Sequence, residues 1–457
     1  MSLDTVLHKI DSDLDASLDR LKSLLRIPSI STDPAFKADC QRAADWLVDD
    51  LKSIGIDAQA HATPGHPMVM GHAGEGGPHL LFYGHYDVQP VDPLELWDRD
   101  PFDPEIQDTD HGKVIRGRGT SDDKGQLMTF VEACRAWVAV NGSLPCRITF
   151  LFEGEEESGS PSLVPYLLEH ADALDADMAL ICDTGLFDPE TPAITTMLRG
   201  LLGEEVIITG PDKDLHSGMY GGAGQNPIRV LSKIIAALHD ADGRVTIPGF
   251  YDGVEDISRQ LRAQWDALGF DAAAFLGEVG LSQPAGEAGR SILEQIWSRP
   301  TCEVNGIQGG YAGDGFKTVL PSVASAKISF RLVGQQDPLA IRDSFRTMVR
   351  DMLPTDCNVE FKDHGAGKAS VMETSDPAFE KARRALSEEW PREAAFIGCG
   401  GSIPIAGYFK DMLGMSSMLI GFGRDDDQIH SPNEKYALDS FHRGTRSWAR
   451  ILAALTG

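Results

Sequence analysis

The sequence has no closely spaced pair of cysteines and too few basic residues to balance its acids. Its seven cysteines are odd in number and scattered, which excludes a zinc ribbon and argues against a disulfide framework. Lysine and arginine total 41 against 69 aspartates and glutamates, a formal net charge of -28. Nucleic acids and anionic membrane surfaces require a concentrated basic face, so neither is an expected partner.

Long apolar runs are also missing. No stretch approaches the roughly 20 apolar residues of a membrane-spanning helix. Residues 6–25 place apolar and charged positions at helical spacing instead of forming the apolar segment of a signal peptide. Together with the odd number and scattered positions of the cysteines, this predicts a cytoplasmic protein. A chain of 457 residues exceeds the size at which one hydrophobic core stops growing, which predicts more than one domain.

Short, nearly continuous apolar runs alternate with helical patterns in the first part of the chain and return near its end. Such runs are typical of strands buried on both faces of a sheet. They predict an α/β catalytic domain with a mixed, mostly parallel sheet flanked by helices. The apolar runs are 80–83, 148–152, 178–182 and 418–420, and the predicted helices include 40–54, 126–140 and 441–455.

The middle of the chain has a different pattern. Residues 326–332 alternate apolar and polar side chains, as in a strand with one open face. Asn226 and Pro227 are suited to cap and begin a helix. These features predict an α+β domain inserted at 198–370, between the two parts of the catalytic domain. Those parts are residues 1–197 and 371–457.

Metal-binding side chains follow the buried runs. His85, Glu157 and Asp183 come after the first three runs, and His430 follows the last. In open α/β sheets, ligands gather beyond the carboxyl ends of the strands, so these residues are expected to converge. Histidine and carboxylate ligands without cysteine suit Zn²⁺, Mn²⁺ or Co²⁺. Asp122, which lies among glycines, is a candidate to bridge two metals.

Two further groups of residues suit the surroundings of such metals. In an extended chain His85 and Asp87 point the same way, so Asp87 is placed to hydrogen-bond the second ring nitrogen of the histidine. In the run Glu155–Glu157, one carboxylate is suited to bind metal while its neighbour takes a proton from water as general base.

Several motifs in order resemble the M20 family of dinuclear metallopeptidases, most closely its carnosine-dipeptidase and cytosolic non-specific dipeptidase branch. The resemblance runs from about Leu25 to His430 and therefore covers nearly the whole chain. The motifs are FYGHYDVQPVDPLELWDRDPF, GRGTSDDKGQ, EGEEESGS, DLHSG, VNGIQGGYAGDGFKTVLPSVASAKISFRLV, GGSIPIA and HSPNEK.

The resemblance implies a role for each matched position of the catalytic domain. It implies two divalent ions per subunit, with zinc as the first choice and manganese or cobalt as alternatives. Glu156 would be the general base and Asp87 the partner of His85, and the Asp122–Asp123 peptide bond would be cis. The implied metal ligands are His85 and Asp183 for one ion, Glu157 and His430 for the other, and Asp122 for both.

The inserted domain would be a lid and dimerisation domain, so the resemblance also implies a homodimer. His216 resembles a histidine that reaches the partner subunit's active site and polarises the scissile carbonyl. Arg331 and the backbone of Gly401 and Ser402 resemble groups that hold the free carboxylate of the substrate, and Asn305 would line the site. The implied reaction is hydrolysis of the amide bond of dipeptides or similar small substrates.

Two features depart from the family pattern. Glu155 stands where the pattern has a hydrophobic residue, and we expect it to add a third negative charge beside the site. The loop 423–428 contains three aspartates, and we expect it to affect substrate preference.

Two other functions are alternatives to dipeptide hydrolysis. An N-acyl amino acid deacylase or desuccinylase would use the same machinery on another substrate. A non-catalytic peptide-binding protein would be expected to have lost a ligand or the base, and neither is lost here.

Overall fold

The computed structural model describes residues 2–457, which divide into two compact units. Unit 1 comprises residues 2–196, 372–397 and 408–457, and unit 2 comprises 197–371 and 398–407. Within 2–457, no helix combines the length and the apolar character needed to cross a bilayer. The predicted role of the inserted domain as a lid and dimerisation domain stays a prediction.

The strands and helices follow in chain order. The strands are β1 Asp57–His61, β2 Met68–Ala73, β3 His79–His85, β4 Glu105–Thr109, β5 Gly112–Arg116, β6 Arg147–Glu153, β7 Met178–Ile181, β8 Ala193–Leu198, β9 Gly200–Thr209, β10 Leu215–His216, β11 Thr301–Gly309, β12 Val319–Leu320, β13 Val323–Leu332, β14 Asn358–Gly367, β15 Ser370–Val371, β16 Ala395–Cys399, β17 Ser416–Leu419 and β18 Lys435–Ala437. The helices are α1 Leu3–Ser12, α2 Leu14–Leu25, α3 Lys37–Ser53, α4 Lys124–Asn141, α5 Leu163–Glu169, α6 Ala171–Leu174, α7 Ser217–Tyr220, α8 Pro227–Ala236, α9 Arg259–Ala267, α10 Ala272–Glu278, α11 Ile292–Trp297, α12 Pro338–Asp351, α13 Pro377–Ser387, α14 Pro404–Leu413 and α15 Leu438–Thr456.

Unit 1 is built on a mixed sheet with the strand order β1-β2-β6-β3-β7-β17-β8. The central strands β6, β3, β7 and β17 are parallel to one another, whereas β1 and β2 form an antiparallel edge. The apolar runs at 80–83, 148–152 and 178–181 lie in β3, β6 and β7, and all of these residues except Thr149 belong to the buried hydrophobic core. The predicted α/β fold with a mixed, largely parallel sheet is confirmed.

Aromatic packing joins this sheet to its helices. The ring of Phe82 on β3 stacks on Phe130 of α4 at 3.8 Å between centroids, and Trp448 of α15 meets Phe82 edge-on at 5.7 Å. Because helix α4 follows directly after Asp122 and Asp123, this packing also fixes the position of the chain that leads into the helix.

Unit 2 contains a four-stranded antiparallel sheet in the order β11-β13-β9-β14. Helices α8 and α12 contribute Leu231, Ile234, Ile341 and Phe345 to its hydrophobic core. As expected, Asn226 caps α8, accepting a hydrogen bond from the backbone N–H of Ile228 at 3.0 Å. The strand order leaves β11 at one edge of the sheet.

Candidate metal centre

A buried histidine and a carboxylate meet beyond the carboxyl end of β3. The side chain of His85 is fully buried, and its Nε2 lies 3.0 Å from Oδ1 of Asp122. The other ring nitrogen, Nδ1, lies 3.2 Å from the backbone oxygen of Asp87 and 3.4 Å from its carboxylate Oδ1. Asp87 therefore contacts the ring nitrogen of His85 that faces away from Asp122. A hydrogen bond at that nitrogen fixes the tautomer of a histidine ligand.

Asp122 lies between two histidines. Its second oxygen, Oδ2, is 2.9 Å from Nε2 of His430. Two sets of potential ligand atoms, each lying within 4.8 Å of one another, share this residue: His85 with Asp122 and Asp183, and Asp122 with Glu157 and His430. The five ligands implied by the sequence are thus brought together, and the shared carboxylate is the one that was expected to bridge.

The chemistry of this cluster fits divalent cations. Oε2 of Glu157 accepts a hydrogen bond from Gln89 at 2.7 Å, but its buried Oε1 has no partner in the described part of the chain. Burial, together with the charges of Asp122, Glu156 and Glu157, raises the pKa of Asp183 well above its ordinary value. A buried carboxylate oxygen without a partner and mutually repelling carboxylates are costly unless a cation compensates them.

Glu156 stands beside the ligands and belongs to neither set. It begins a short 3₁₀ turn, Glu156–Ser158, whose first two backbone N–H groups donate to the carboxylate of Asp87 at 3.2 and 3.0 Å. Asp87 therefore supports both His85 and the turn that carries Glu156. Burial is the main cause that raises the pKa of the Glu156 carboxyl to about 7, which is a suitable range for a group that accepts and returns a proton near neutral pH.

The chain after Asp122 has the geometry that the resemblance implied. The Asp122–Asp123 peptide bond is cis. Asp123 is fully buried, and its Oδ2 accepts a hydrogen bond from the backbone N–H of His85 at 3.0 Å. Asp123 therefore connects the end of β3 to the chain that presents Asp122.

The residues assigned to substrate binding lie in unit 2 and are less enclosed. Nη1 of Arg331 donates to Oγ of Ser402 at 3.3 Å, and the backbone oxygen of Gly401 accepts from the N–H of Arg199 at 3.1 Å. His216 is exposed, and its Nδ1 accepts from the backbone N–H of Gly218 at 3.1 Å. Asn305 is exposed at an irregularity in the pairing of β11 with β13. In the part of the chain described, no hydrogen bond joins His216 or Asn305 to the Arg331–Ser402 pair.

A model of the peptidase family M20/M25/M40 matches residues 81–454. The chain belongs to this family. As an M20 metallopeptidase it is an enzyme, and the resemblance read from its motifs is confirmed. It is 30% identical to the Cys-Gly metallodipeptidase DUG1 of Candida albicans, with 94% of this chain and 92% of that protein covered.

Two further relatives agree with this placement. The human Beta-Ala-His dipeptidase is 28% identical, and the match covers 98% of this chain and 91% of that protein. The solved structure of the M20 family metallo-carboxypeptidase Sso-CP2 from Sulfolobus solfataricus has a TM-score of 0.82 and 31% identity. That match covers 96% of this chain and 99% of the other.

Sequence reasoning missed Glu434, which organises the loop of Asp122. Glu434 is fully buried. Its carboxylate accepts hydrogen bonds from Nη1 of Arg118 at 2.8 Å and from three backbone N–H groups, those of Gly119 at 2.9 Å, Ser121 at 2.8 Å and Asp122 at 3.1 Å. Its place in the motif HSPNEK, four residues after His430, was the available signal. Glu434 therefore links the loop of one metal ligand to the loop of another.

The structure changes both expectations about the extra acids. Glu155 is 2% exposed, and its carboxylate oxygens accept from the backbone N–H groups of His66 and Ser162, each at 2.9 Å. It braces the chain around His66 and belongs to neither ligand set. Physically, an acid near the site is compatible with burial because two N–H donors satisfy its oxygens.

Two aspartates of the acidic loop before His430 also have hydrogen-bond or ion-pair partners within unit 1. Asp427 is fully buried and accepts from Oγ of Ser121 and from the N–H of Arg424, both at 2.8 Å. Asp426 pairs with Lys435 at 2.9 Å. Because these two acids have partners of their own, the structure gives no support to the expectation that they act on the substrate.

Proposed function

We propose that this enzyme hydrolyses the amide bond of dipeptides that have a free carboxylate, using two divalent cations held by His85, Asp122, Glu157, Asp183 and His430. The observation that carries the proposal is Asp122, shared by two ligand sets, with Glu156 beside both and a member of neither. Zinc is the first choice, because histidine and carboxylate donors suit it, and manganese or cobalt are the alternatives.

Bound divalent cations supply Lewis-acid polarisation of the carbonyl and lower the pKa of water. Glu156, held by the contact of its N–H with Asp87, takes the proton of the attacking water at its carboxylate and delivers it to the leaving amine nitrogen. Arg331, with the backbone of Gly401 and Ser402, holds the carboxylate of the substrate. His216 donates to the oxygen on which negative charge develops, and Asn305 lines the site.

We also propose that the enzyme is a homodimer in which His216 serves the partner subunit. Strand β11 is an edge of its sheet, and such an edge is a template for pairing with another chain. Ile307 on this strand is 60% exposed, and Phe316 farther along the chain is 91% exposed. Large exposed apolar side chains of this kind are typical of association surfaces. No disulfide bond is found among the described residues, which supports the proposed cytoplasmic location.

The test is hydrolysis of a substrate panel by the purified enzyme with Zn²⁺, Mn²⁺ or Co²⁺ supplied in turn. The panel contains Cys-Gly and β-Ala-His, after the names of the relatives, together with other dipeptides, a tripeptide and N-acetyl and N-succinyl amino acids. We expect dipeptides to be cleaved fastest. Preference for an acylated amino acid would replace the proposal with a deacylase. Removal of the carboxyl-terminal residue of the tripeptide at the same rate as dipeptide cleavage would replace the proposal with a carboxypeptidase.

A further inference from the structure

Arg199 is a half-buried arginine of unit 2 for which the proposed reaction has no role. Its Nε donates to the backbone oxygen of Gly400 at 3.1 Å. Its Nη1 and Nη2 have no partner among the described residues and are not sealed from solvent. Nineteen of the 26 arginines, such as Arg346 with Glu204 at 2.8 Å, pair with carboxylates in this chain of net charge -28, and Arg199 belongs to the minority without such a pair among the described residues.

Arg199 lies beside Arg331, which also lacks a carboxylate partner in the part of the chain described. The hydroxyl of Ser402 joins the two, because it accepts from Arg331 and donates to the backbone oxygen of Arg199. Burial, and then the charge of Arg331, lower the pKa of Arg199 to about 10, so the Arg199 guanidinium keeps its charge at neutral pH. The charge of Glu303 acts on Arg199 in the opposite direction, but more weakly than the charge of Arg331. Two adjacent cations repel each other, and an anionic ligand would relieve the repulsion.

The loop that contains Gly400 and Ser402 and contacts both arginines has two further features that favour an anion. Gly400 is close to Arg199: a Cβ at this position would lie 3.0 Å from Nη2. Helix α14 begins at Pro404, two residues after Ser402, and the beginning of a helix carries partial positive charge. Two guanidinium groups, the hydroxyl of Ser402 and the beginning of helix α14 therefore lie together at this short loop.

We propose that Arg199 and Arg331 form a two-guanidinium subsite that selects substrates whose carboxyl-terminal residue carries two carboxylates, such as dipeptides ending in aspartate or glutamate. The inference rests on the proposed function. Arg331, with the backbone of Gly401 and Ser402, binds the α-carboxylate, and Arg199 binds the side-chain carboxylate through its free Nη1 and Nη2. The overall negative charge of the chain disfavours a doubly charged ligand, so a measured preference for one would have to come from local positive charge.

The test compares Gly-Asp with Gly-Asn, which have nearly the same shape and differ in one charge. For the wild-type enzyme we expect kcat/KM to be about 10-fold higher for Gly-Asp, the size of one charge-assisted hydrogen bond. Arg199→Gln should remove this advantage while largely preserving kcat/KM for Gly-Asn. Arg199→Lys should retain part of it. Arg259→Gln, which changes an exposed arginine of the same unit, should leave the ratio unchanged.

Two results would overturn the inference: equal kcat/KM values for Gly-Asp and Gly-Asn in the wild type, or an equal loss for both substrates in Arg199→Gln. The second result would mean that Arg199 only braces the loop. If no dipeptide is cleaved, the proposed function fails, and calorimetric binding of free L-aspartate against L-asparagine to the metal-loaded protein decides the subsite separately. Tighter binding of aspartate that Arg199→Gln abolishes supports the subsite, and equal binding overturns it.

Discussion

His85 in unit 1 and His216 in unit 2 are both assigned to catalysis, yet their surroundings are opposite. His85 is buried between Asp122 and Asp87. The side chain of His216 is exposed, and it accepts a hydrogen bond from the backbone N–H of Gly218 in its own loop. The residues of the candidate metal centre are held by contacts within unit 1. The proposed role of His216 requires something beyond its own unit, such as a substrate or a second subunit. The following predictions test this difference between a preorganised site and an incomplete one.

The largest effect should come from Glu156→Gln, which removes the proposed base from the preorganised site and keeps its shape. We expect kcat to fall by at least about 10³-fold, because glutamine cannot accept the proton. Metal content, measured by elemental analysis, should be unchanged, because Glu156 belongs to neither ligand set. Glu169→Gln, at an exposed acid of unit 1, is the matched control. Turnover close to that of the wild type would show that the base is another group.

Glu434→Ala should give the next largest effect, because it breaks the link between the loops of Asp122 and His430. It leaves Arg118, which is 1% exposed, without its carboxylate partner. Removal of one partner of a buried ion pair costs about 3–5 kcal/mol, so the free energy of unfolding of the metal-free protein in urea should fall by this amount. Metal affinity should fall as well.

The control for this variant is Glu95→Ala, which removes an exposed acid. Glu434→Gln should cost less than Glu434→Ala, because an amide oxygen still accepts some of the N–H donors. A loss below about 0.5 kcal/mol in Glu434→Ala, within the range of an ordinary surface change, would mean that the two loops hold their positions independently.

His216→Ala tests the proposed catalytic role of the exposed histidine in unit 2. We expect kcat/KM to fall by about 10²-fold, as for the loss of one donor to a developing oxyanion. The free energy of unfolding should change by less than about 0.5 kcal/mol, because the side chain is exposed. His239→Ala, at another exposed histidine of unit 2, should alter neither quantity.

Mixing His216→Ala chains with Glu156→Gln chains then tests whether His216 acts across a dimer. Each variant retains the group that the other lacks, so a mixed dimer contains one complete site and should recover part of the activity. Absence of recovery after subunit exchange has been verified by mass spectrometry would count against action in the partner subunit.

Much of the fold and of the metal centre was predictable because the signals are local. The buried run 80–83 identifies β3, and its position in the sheet places His85 at the carboxyl end with the other ligands. The spacing of His85 and Asp87 anticipated the contact between them. In contrast, the continuous helical pattern of residues 6–25 gave no sign that α1 and α2 are separate helices that meet at Asp13.

The supporting contacts were not predictable because they join residues that are far apart in the chain. Glu434 bonds to backbone groups more than 300 positions earlier, and backbone N–H groups leave no mark on the sequence. The direction of each acid in the run Glu155–Glu157 was equally hidden, because the 3₁₀ turn that separates them depends on Asp87. In unit 2, the pairing of Arg199 and Arg331 through Ser402 depends on a loop about 200 residues after Arg199.

Glu155→Gln should have the smallest effect on activity. It distinguishes an acid that stabilises the structure near the site from acids that bind metal or transfer protons. The carboxylate accepts from the backbone N–H groups of His66 and Ser162, one on each oxygen. A glutamine amide has one oxygen, so its NH₂ group must face one of these donors, and one buried hydrogen bond is lost. We expect the free energy of unfolding to fall by about 1–2 kcal/mol, with metal content and kcat/KM unchanged. Glu75→Gln, at an exposed acid of unit 1, controls for the loss of charge. A fall in metal content without a loss of stability would instead place Glu155 among the groups that act on the metals.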